Sequence, residues 1–258
     1  MAVTSRFRRK RKPSTMTVVE HLDELRTRII IAVGAVAIAA IGAWFLFGPV
    51  THLLENPYCA FMQAHKQLAA DPSDPCRLVF SSIVEPFLVK IKVTAFLGFA
   101  IALPVVLYQL WMFIMPGLTE GERKYALPFV LASLVLFALG GWFAIITLPK
   151  GLNFLLGFAG TTRVLLLLTF PKYLGFVILL ILAFGASFEF PLVLVSLTLV
   201  GVLSSRKLRQ WRRYAVLGIA VFAAVITPSQ DWFTMTAMMV PLLVFYELSI
   251  LVARLLHK

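Results

Sequence analysis

Carboxylates are the side chains of this sequence whose positions suggest binding chemistry, because they are scarce in a strongly basic chain. The 258 residues contain 24 Lys and Arg but only 12 Asp and Glu, which gives a net charge of +12. An ionised carboxylate can hold a planar guanidinium group through two parallel hydrogen bonds. Glu24 and Glu122 each lie beside basic residues, and Glu189 lies inside a long apolar segment.

Each of these acids also has a local structural interpretation. Glu24 can pair with Arg28 one helical turn later, a contact worth only about 0.3 to 0.5 kcal/mol at an exposed site. Glu122 and Thr119 have the spacing of a helix capping box. A charge at the depth of Glu189 would cost at least about 2.5 to 3.5 kcal/mol, so this acid either is neutral within a helix bundle or faces a wet cavity. The residue types leave both interpretations open for all three acids.

The elements that position these acids are predicted to be membrane-spanning helices. The sequence is 60% hydrophobic and 14% charged, against about 45 to 50% apolar residues in soluble domains. A helix needs about 20 apolar residues to cross a bilayer. Six segments are predicted to do so, at residues 29–47, 86–115, 125–148, 173–203, 214–226 and 234–252. We therefore expect an all-α polytopic membrane protein with one membrane domain, residues 1–258, and a basic tail at residues 1–16.

The fifth segment is unusually short. Its length of 13 residues covers only about 20 Å at about 1.5 Å per residue, so the surrounding lipid should become thinner. The alternative is that the helix extends into the membrane interface through Trp211 and Tyr214, which are typical interfacial residues.

The distribution of positive charge predicts the orientation. Seventeen of the 24 Lys and Arg lie before the first segment, after the last one, or in the second and fourth connections. Basic residues are enriched on the cytoplasmic side of membrane proteins. Both termini are therefore expected in the cytoplasm of a cell whose inner (plasma) membrane holds the protein, with the first span retained as an anchor and not cleaved as a signal peptide.

Other classes of function are disfavoured by what the sequence lacks. It has no paired-histidine metal signature, no phosphate-binding glycine loop and no serine with a nearby basic partner in the spans, so we expect no metal and no enzyme activity. A nucleic-acid partner is not expected, because no basic face alternates with aromatic residues. The main alternative is an ion-coupled small-solute secondary transporter, although Glu189 is nearly the only polar group at mid-depth and no internal repeat is visible.

Cys59 and Cys76 both fall in the first outside connection, which an oxidising compartment would surround. A disulfide between them would close a loop of about 17 residues and add about 3 kcal/mol to stability. They are candidates for a disulfide bond.

Several motifs closely resemble the TatC family, the receptor subunit of the twin-arginine protein translocase. The opening His21-Leu22-Asp23-Glu24-Leu25-Arg26-Thr27-Arg28 precedes the first span, and further matching motifs follow in order: Glu85–Phe87, Pro104–Leu118, Glu122–Lys124, Phe188–Pro191 and Thr227–Pro228 with Asp231. The resemblance implies a cup-like bundle of six tilted helices that binds signal peptides carrying paired arginines. It also implies self-association, the single-span partners TatA and TatB, and export of folded precursor proteins driven by the proton motive force, with no bound cofactor.

The resemblance further assigns roles to individual residues. It implies signal-peptide binding by Glu24, Glu122, Arg26 and Phe113. It implies intramembrane polar or partner contacts by Glu189, Asp231 and Phe87. The turn before the last span differs from the family, because Thr227 to Asp231 is one residue longer and Met235 stands where a glutamine is frequent.

Overall fold

The computed structural model describes residues 18–66, 69, 71, 73–114, 126–157, 168–199, 201–229 and 231–255. These residues are almost all helical, which confirms the predicted all-α class. The helices in the described ranges are α1 Val18–Ala43, α2 Phe47–Ala64, α3 Glu85–Ile114, α4 Ala126–Gly157, α5 Phe170–Phe188, α6 Phe190–Leu199, α7 Ser205–Gln210, α8 Arg212–Ile226 and α9 Trp232–Leu255. A short 3-10 turn, Trp44–Leu46, joins α1 to α2.

Five stretches of the described chain are long and apolar enough to cross a membrane: Val19–Ala64, Glu85–Phe113, Leu127–Leu155, Phe170–Leu199 and Trp232–Leu255. The remaining apolar helix, α8, has 15 residues, which is about 22 Å at 1.5 Å per residue. It begins at Arg212, so it includes Tyr214 but leaves Trp211 at the junction with α7. The fifth predicted span is therefore a short helix, two residues longer at its start than the sequence suggested.

The fourth predicted segment, 173–203, is not one helix. It is divided at Glu189 into α5 and α6. Pro191, the second residue of α6, has no N–H and its ring crowds the carbonyl one turn earlier, so it favours a break at this point. Helix α6 ends four residues before the predicted end at 203, because Gly201 adopts φ 82° and stops the helix. The amides of Gly201 and Val202 donate to the carbonyls of Thr198 and Leu197 at this stop.

Two other boundaries differ from the prediction. The first helix ends at Ala43 and the chain continues as α2, where the sequence suggested a connection after residue 47. Helix α4 runs through Pro149 to Gly157, nine residues past the predicted end at 148. Apolar runs locate the middle of a helix well, but helices extend beyond the apolar part wherever neighbouring elements cover the added turns.

Two helix pairs of the bundle approach each other closely. A Cβ added to Gly98 of α3 would lie 2.7 Å from Ala40 of α1, and one added to Gly140 of α4 would lie 2.6 Å from the carbonyl oxygen of Phe184 in α5. Small residues let membrane helices approach in this way. Helix α9 packs against α6 and α8, and Tyr246 of α9 donates a hydrogen bond to the Leu208 carbonyl of α7 at 2.7 Å.

A disulfide joins Cys59 of α2 to Cys76 in the following connection, with the two Cα atoms 4.6 Å apart. At the same end of the bundle, the Phe170 amide that opens α5 donates to the Val79 carbonyl at 2.9 Å, and Tyr173 donates to the Leu54 carbonyl at 2.8 Å. These contacts tie the connection between α2 and α3 to the bundle, at the end opposite to the start of α1.

Candidate functional site

The first turns of α1 meet the last turns of α3, and side chains of both helices hold this junction together. The ring of His21 stacks on Phe113 with centroids 4.3 Å apart and an interplanar angle of 14°. One turn further, the Arg28 Nη1 donates a hydrogen bond to the Gln109 Oε1 at 3.2 Å. Glu24 lies on α1 between these two contacts, so its carboxylate is held at the mouth of the junction.

Only one of the two oxygens of the Glu24 carboxylate has a hydrogen-bond partner among the described residues. Arg28 Nε donates to Glu24 Oε1 at 3.0 Å, and Arg28 Nη2 contacts the same oxygen. The pair is more buried than the exposed contact considered from the sequence, since the side chains are 20% and 19% exposed. Oε2 is buried and has no hydrogen-bond partner among the described residues. A buried acceptor left unpaired costs about 1 to 3 kcal/mol, so this oxygen favours the arrival of a donor.

Glu24 lines an acidic groove. We use this name for a cavity of about 440 Å³ lined by Glu20, Asp23, Glu24, Thr27, Arg28, Ile31 and Gln109. Its lining holds three carboxylates and one guanidinium group, a local charge of about −2 in a chain of net charge +12. Such a groove attracts cations, and the attraction is stronger beside the part-buried Glu24 than at the exposed Glu20 and Asp23.

The other predicted binding residues have different positions. Phe113 stacks on His21 at the same junction of α1 and α3 but does not line the groove. Arg26 is exposed on α1 and is absent from the lining of the groove. Glu122 and Thr119 lie outside the described residues. The structure therefore brings Glu24 and Phe113 to one junction and says nothing of Glu122.

Glu189 lies at the break between α5 and α6 and is partly buried. The Ser133 hydroxyl of α4 hydrogen-bonds to its carboxyl group, and the same hydroxyl accepts a hydrogen bond from Trp111 Nε1 at 2.8 Å. Its Oε1 is buried and has no partner within the described ranges. Glu189 therefore has one hydrogen bond inside the bundle and one oxygen without a partner among the described residues. The bond fits an acid held within the helix bundle, and the unpaired oxygen fits an acid that faces a wet cavity.

Asp231 serves as the cap of α9. Its Oδ1 accepts the Thr234 amide at 2.8 Å and its Oδ2 accepts the Thr234 hydroxyl at 2.6 Å. Burial acts to raise the pKa of Asp231, but hydrogen bonds from Ser229 and Thr234 and from the backbone outweigh it and lower the pKa below its usual value. Phe87, in the first turn of α3, is 59% exposed and is free to contact lipid or another chain.

Sequence reasoning missed Gln109 and Ser133. Gln109 stands four residues before Phe113, a spacing that places both on one face of α3, so the predicted role of Phe113 could have pointed to it. Ser133 is a polar residue in the apolar α4, and buried polar groups in membrane helices usually bind a partner. Neither signal names the partner, because that depends on how the helices cross.

Comparisons with known proteins agree with the motifs. The family model for the Sec-independent protein translocase protein TatC matches residues 20–241. A TatC protein of Frankia casuarinae is 43% identical over 251 residues, which are 95% of this chain and 68% of that protein. The TatC protein of Aquifex aeolicus is 37% identical over 93% of this chain and 95% of its own length.

A solved structure also matches this chain. The crystal structure of a twin-arginine translocase receptor, TatC, aligns with a TM-score of 0.73 and 37% identity, covering 93% of this chain and 100% of the other. A further structure of that receptor, in DDM, aligns with a TM-score of 0.74, covering 91% and 99% of the two chains. The sequence motifs, the helical bundle and these likenesses agree: this chain belongs to the TatC family of Sec-independent protein translocase proteins.

Proposed function

We propose that this translocase subunit binds the paired arginines of a signal peptide in the acidic groove between α1 and α3. The observation that supports this most directly is the buried, unpaired Oε2 of Glu24. Members of the family are non-enzymatic translocase subunits, and the comparisons do not favour a small-solute transporter.

The groove suits a guanidinium group better than an ammonium group. Arg28 occupies Oε1 of Glu24 from one side, so an arriving guanidinium would donate to Oε2 while its remaining N–H groups reach other lining acceptors. A planar fork with five donors can satisfy several fixed acceptors at once, whereas lysine presents a compact charge that is more strongly hydrated. We therefore expect paired arginines to bind more tightly than paired lysines.

Glu122 is proposed as the second acidic position. It lies in the connection between α3 and α4, which leaves the end of α3 that carries Phe113 and Gln109. We expect Glu122→Lys to abolish binding of a twin-arginine precursor while the protein still inserts into the membrane. Undiminished crosslinking of precursor to that variant would remove Glu122 from the proposal.

The remaining parts of the proposal concern orientation and partners. Both termini and the acidic groove would face the cytoplasm, as the distribution of Lys and Arg predicts. Small single-span subunits of the TatA and TatB type would bind the membrane-facing surface, where Phe87 is exposed, and would take a polar contact from Glu189, whose buried Oε1 has no partner within the described ranges. Self-association of several copies and transport of folded precursors driven by the proton motive force complete this hypothesis.

A photocrosslinking experiment tests the groove. A photoreactive residue at position 27, which lines the groove, is combined with a purified precursor carrying either paired arginines or paired lysines. Glu24→Gln should reduce arginine-dependent crosslinking by about tenfold to a hundredfold, the value of a hydrogen bond to a charged group. Asp23→Asn is the matched control, because it loses the same charge from the same groove at a more exposed side chain and should reduce crosslinking less. Equal crosslinking by wild type and Glu24→Gln, or by both precursors, would refute the proposed site.

A further inference from the structure

A second charged cavity lies at the far end of α9, on the same side of the bundle as the start of α1. We call it the basic cleft, a cavity of about 370 Å³ lined by Ser205, Arg206, Arg209, Gln210, Arg212 and Arg254. We propose that the basic cleft binds the phosphate group of an anionic membrane phospholipid. Its place in the fold is separate from the acidic groove, so it has no part in the signal-peptide site proposed above.

The charges of the basic cleft attract an anion. Its lining holds four guanidinium groups and no carboxylate among the described residues. Outside the lining, Glu247 accepts one hydrogen bond from Arg212 at 2.5 Å, and both side chains of that pair are about half exposed. One carboxylate near four guanidinium groups leaves an excess of positive charge. Guanidinium forks match the oxygens of a phosphate, which makes a phosphate a fitting ligand.

The cleft is built on elements that are held in place. The Ser204 side chain accepts a hydrogen bond from the Lys207 amide at the start of α7. Leu208 of α7 is 3% exposed, and its carbonyl accepts the hydrogen bond from Tyr246 of α9. The short helix that carries Arg206 and Arg209 is therefore fixed against α9, which carries Arg254. A fixed arrangement lowers the entropy lost when a ligand binds.

The surroundings of the cleft favour a lipid over a free anion. Trp211 and Tyr214, residues typical of the membrane interface, are both more than half exposed beside it. Leu251 and Leu255 of α9 expose apolar side chains next to Arg254, where acyl chains below a headgroup could lie. Basic pockets between helices at an anionic leaflet suit phospholipid headgroups. These features place the cleft at headgroup depth with apolar surface leading into the membrane.

Native mass spectrometry of the full chain released from lipid nanodiscs tests this proposal. The nanodiscs contain phosphatidylcholine with graded amounts of phosphatidylglycerol, and retained lipid is counted for each variant. The double variant Arg206→Gln/Arg209→Gln should lose affinity for phosphatidylglycerol by at least about tenfold, as expected when hydrogen bonds to a charged group are removed. The matched control is Lys207→Gln/Arg213→Gln, which removes two charges from the same segment at positions that do not line the cleft. It should stay within about twofold of wild type on the same scale.

Two further variants separate a binding defect from a folding defect. Arg254→Gln alters the exposed last turn of a different helix and should also weaken retention of phosphatidylglycerol. Glu247→Gln removes the carboxylate that pairs with Arg212, so it should increase retention, which a damaged fold cannot do.

The outcomes distinguish the sources of phosphate. Retention of phosphatidylglycerol that inorganic phosphate at millimolar concentration does not displace supports the lipid. Displacement by inorganic phosphate would overturn the lipid assignment in favour of a free anion. Equal losses in Arg206→Gln/Arg209→Gln and in Lys207→Gln/Arg213→Gln would show diffuse surface attraction and overturn the site itself.

Discussion

The contact between α4 and α5 at Gly140 leads to a prediction whose sign can be worked out from the structure. A Cβ at position 140 would lie 2.6 Å from the Phe184 carbonyl oxygen and 2.9 Å from the Gly185 Cα. Both neighbours are backbone atoms, so rotating a side chain cannot relieve the contact. To reach the ordinary van der Waals separation of 3.4 Å, α5 must retreat by about 0.8 Å. Overpacking of this kind costs about 1 to 3 kcal/mol.

The opposing effect is the helix propensity of alanine. Replacing a helical glycine with alanine stabilises a helix by about 0.8 to 1.0 kcal/mol, so Gly140→Ala should destabilise the bundle by up to about 2 kcal/mol. The matched control is Gly175→Ala on the adjacent α5, because an added Cβ there meets nothing within 4 Å. That variant should gain stability or leave it unchanged.

Equilibrium unfolding by sodium dodecyl sulphate, added to protein in mild-detergent micelles and followed by tryptophan fluorescence, measures both variants. The free energy of unfolding of Gly140→Ala should fall below that of Gly175→Ala by about 1 to 3 kcal/mol. If the two variants are equally stable, α4 and α5 do not approach as closely as the structure indicates and the reasoning fails.

Three further predictions concern other parts of the bundle. Asp231→Ala should reduce stability by about 1 kcal/mol through loss of the α9 cap. Because hydrogen bonding lowers the pKa of Asp231, the wild type should lose this stabilisation as the pH falls below about 4. Asp231→Asn should be less sensitive to acid in the same unfolding assay. Replacing Cys59 and Cys76 with serine should reduce stability by about 3 kcal/mol for a sequence separation of 17, and thiol titration of wild type should detect free thiols only after reduction. Glu189→Ala should retain precursor binding and impair transport in membrane vesicles, and full transport would remove the case for a functional acceptor at this depth.

Some features of the site followed from local chemistry. The position of Glu24 on an N-terminal helix ahead of the first span was predictable, because helical spacing and apolar runs are visible in neighbouring residues. Its pairing with Arg28 was also predictable from their spacing. What could not be predicted was that Arg28 also donates to Gln109, 81 residues further along the chain, while one oxygen of Glu24 stays without a partner among the described residues. That depends on the packing of α3 against α1.

The break at Glu189 was also predictable in part from the sequence and in part only from the tertiary structure. Pro191 indicated a kink, because proline removes a backbone donor wherever it stands in a helix. The hydrogen bond from Ser133 to Glu189 could not be predicted in this way. It depends on how α4 is rotated relative to the break between α5 and α6, and the sequence of neither segment determines that rotation. Likewise, the reason for glycine at Gly98 and Gly140 is seen only in the tertiary structure, because an added Cβ would clash with the backbone of the neighbouring helix.

The sequence by itself determined the all-α membrane class, the approximate positions of the apolar helices and the acids available for binding. These follow from hydrophobicity and charge, which are properties of each short segment and act through its transfer into lipid. Only the tertiary structure decided which acid keeps a buried open acceptor, which arginines converge in a cleft and which glycines permit close contact. Those outcomes depend on the crossing and rotation of helices, which are set by packing between segments distant in the chain.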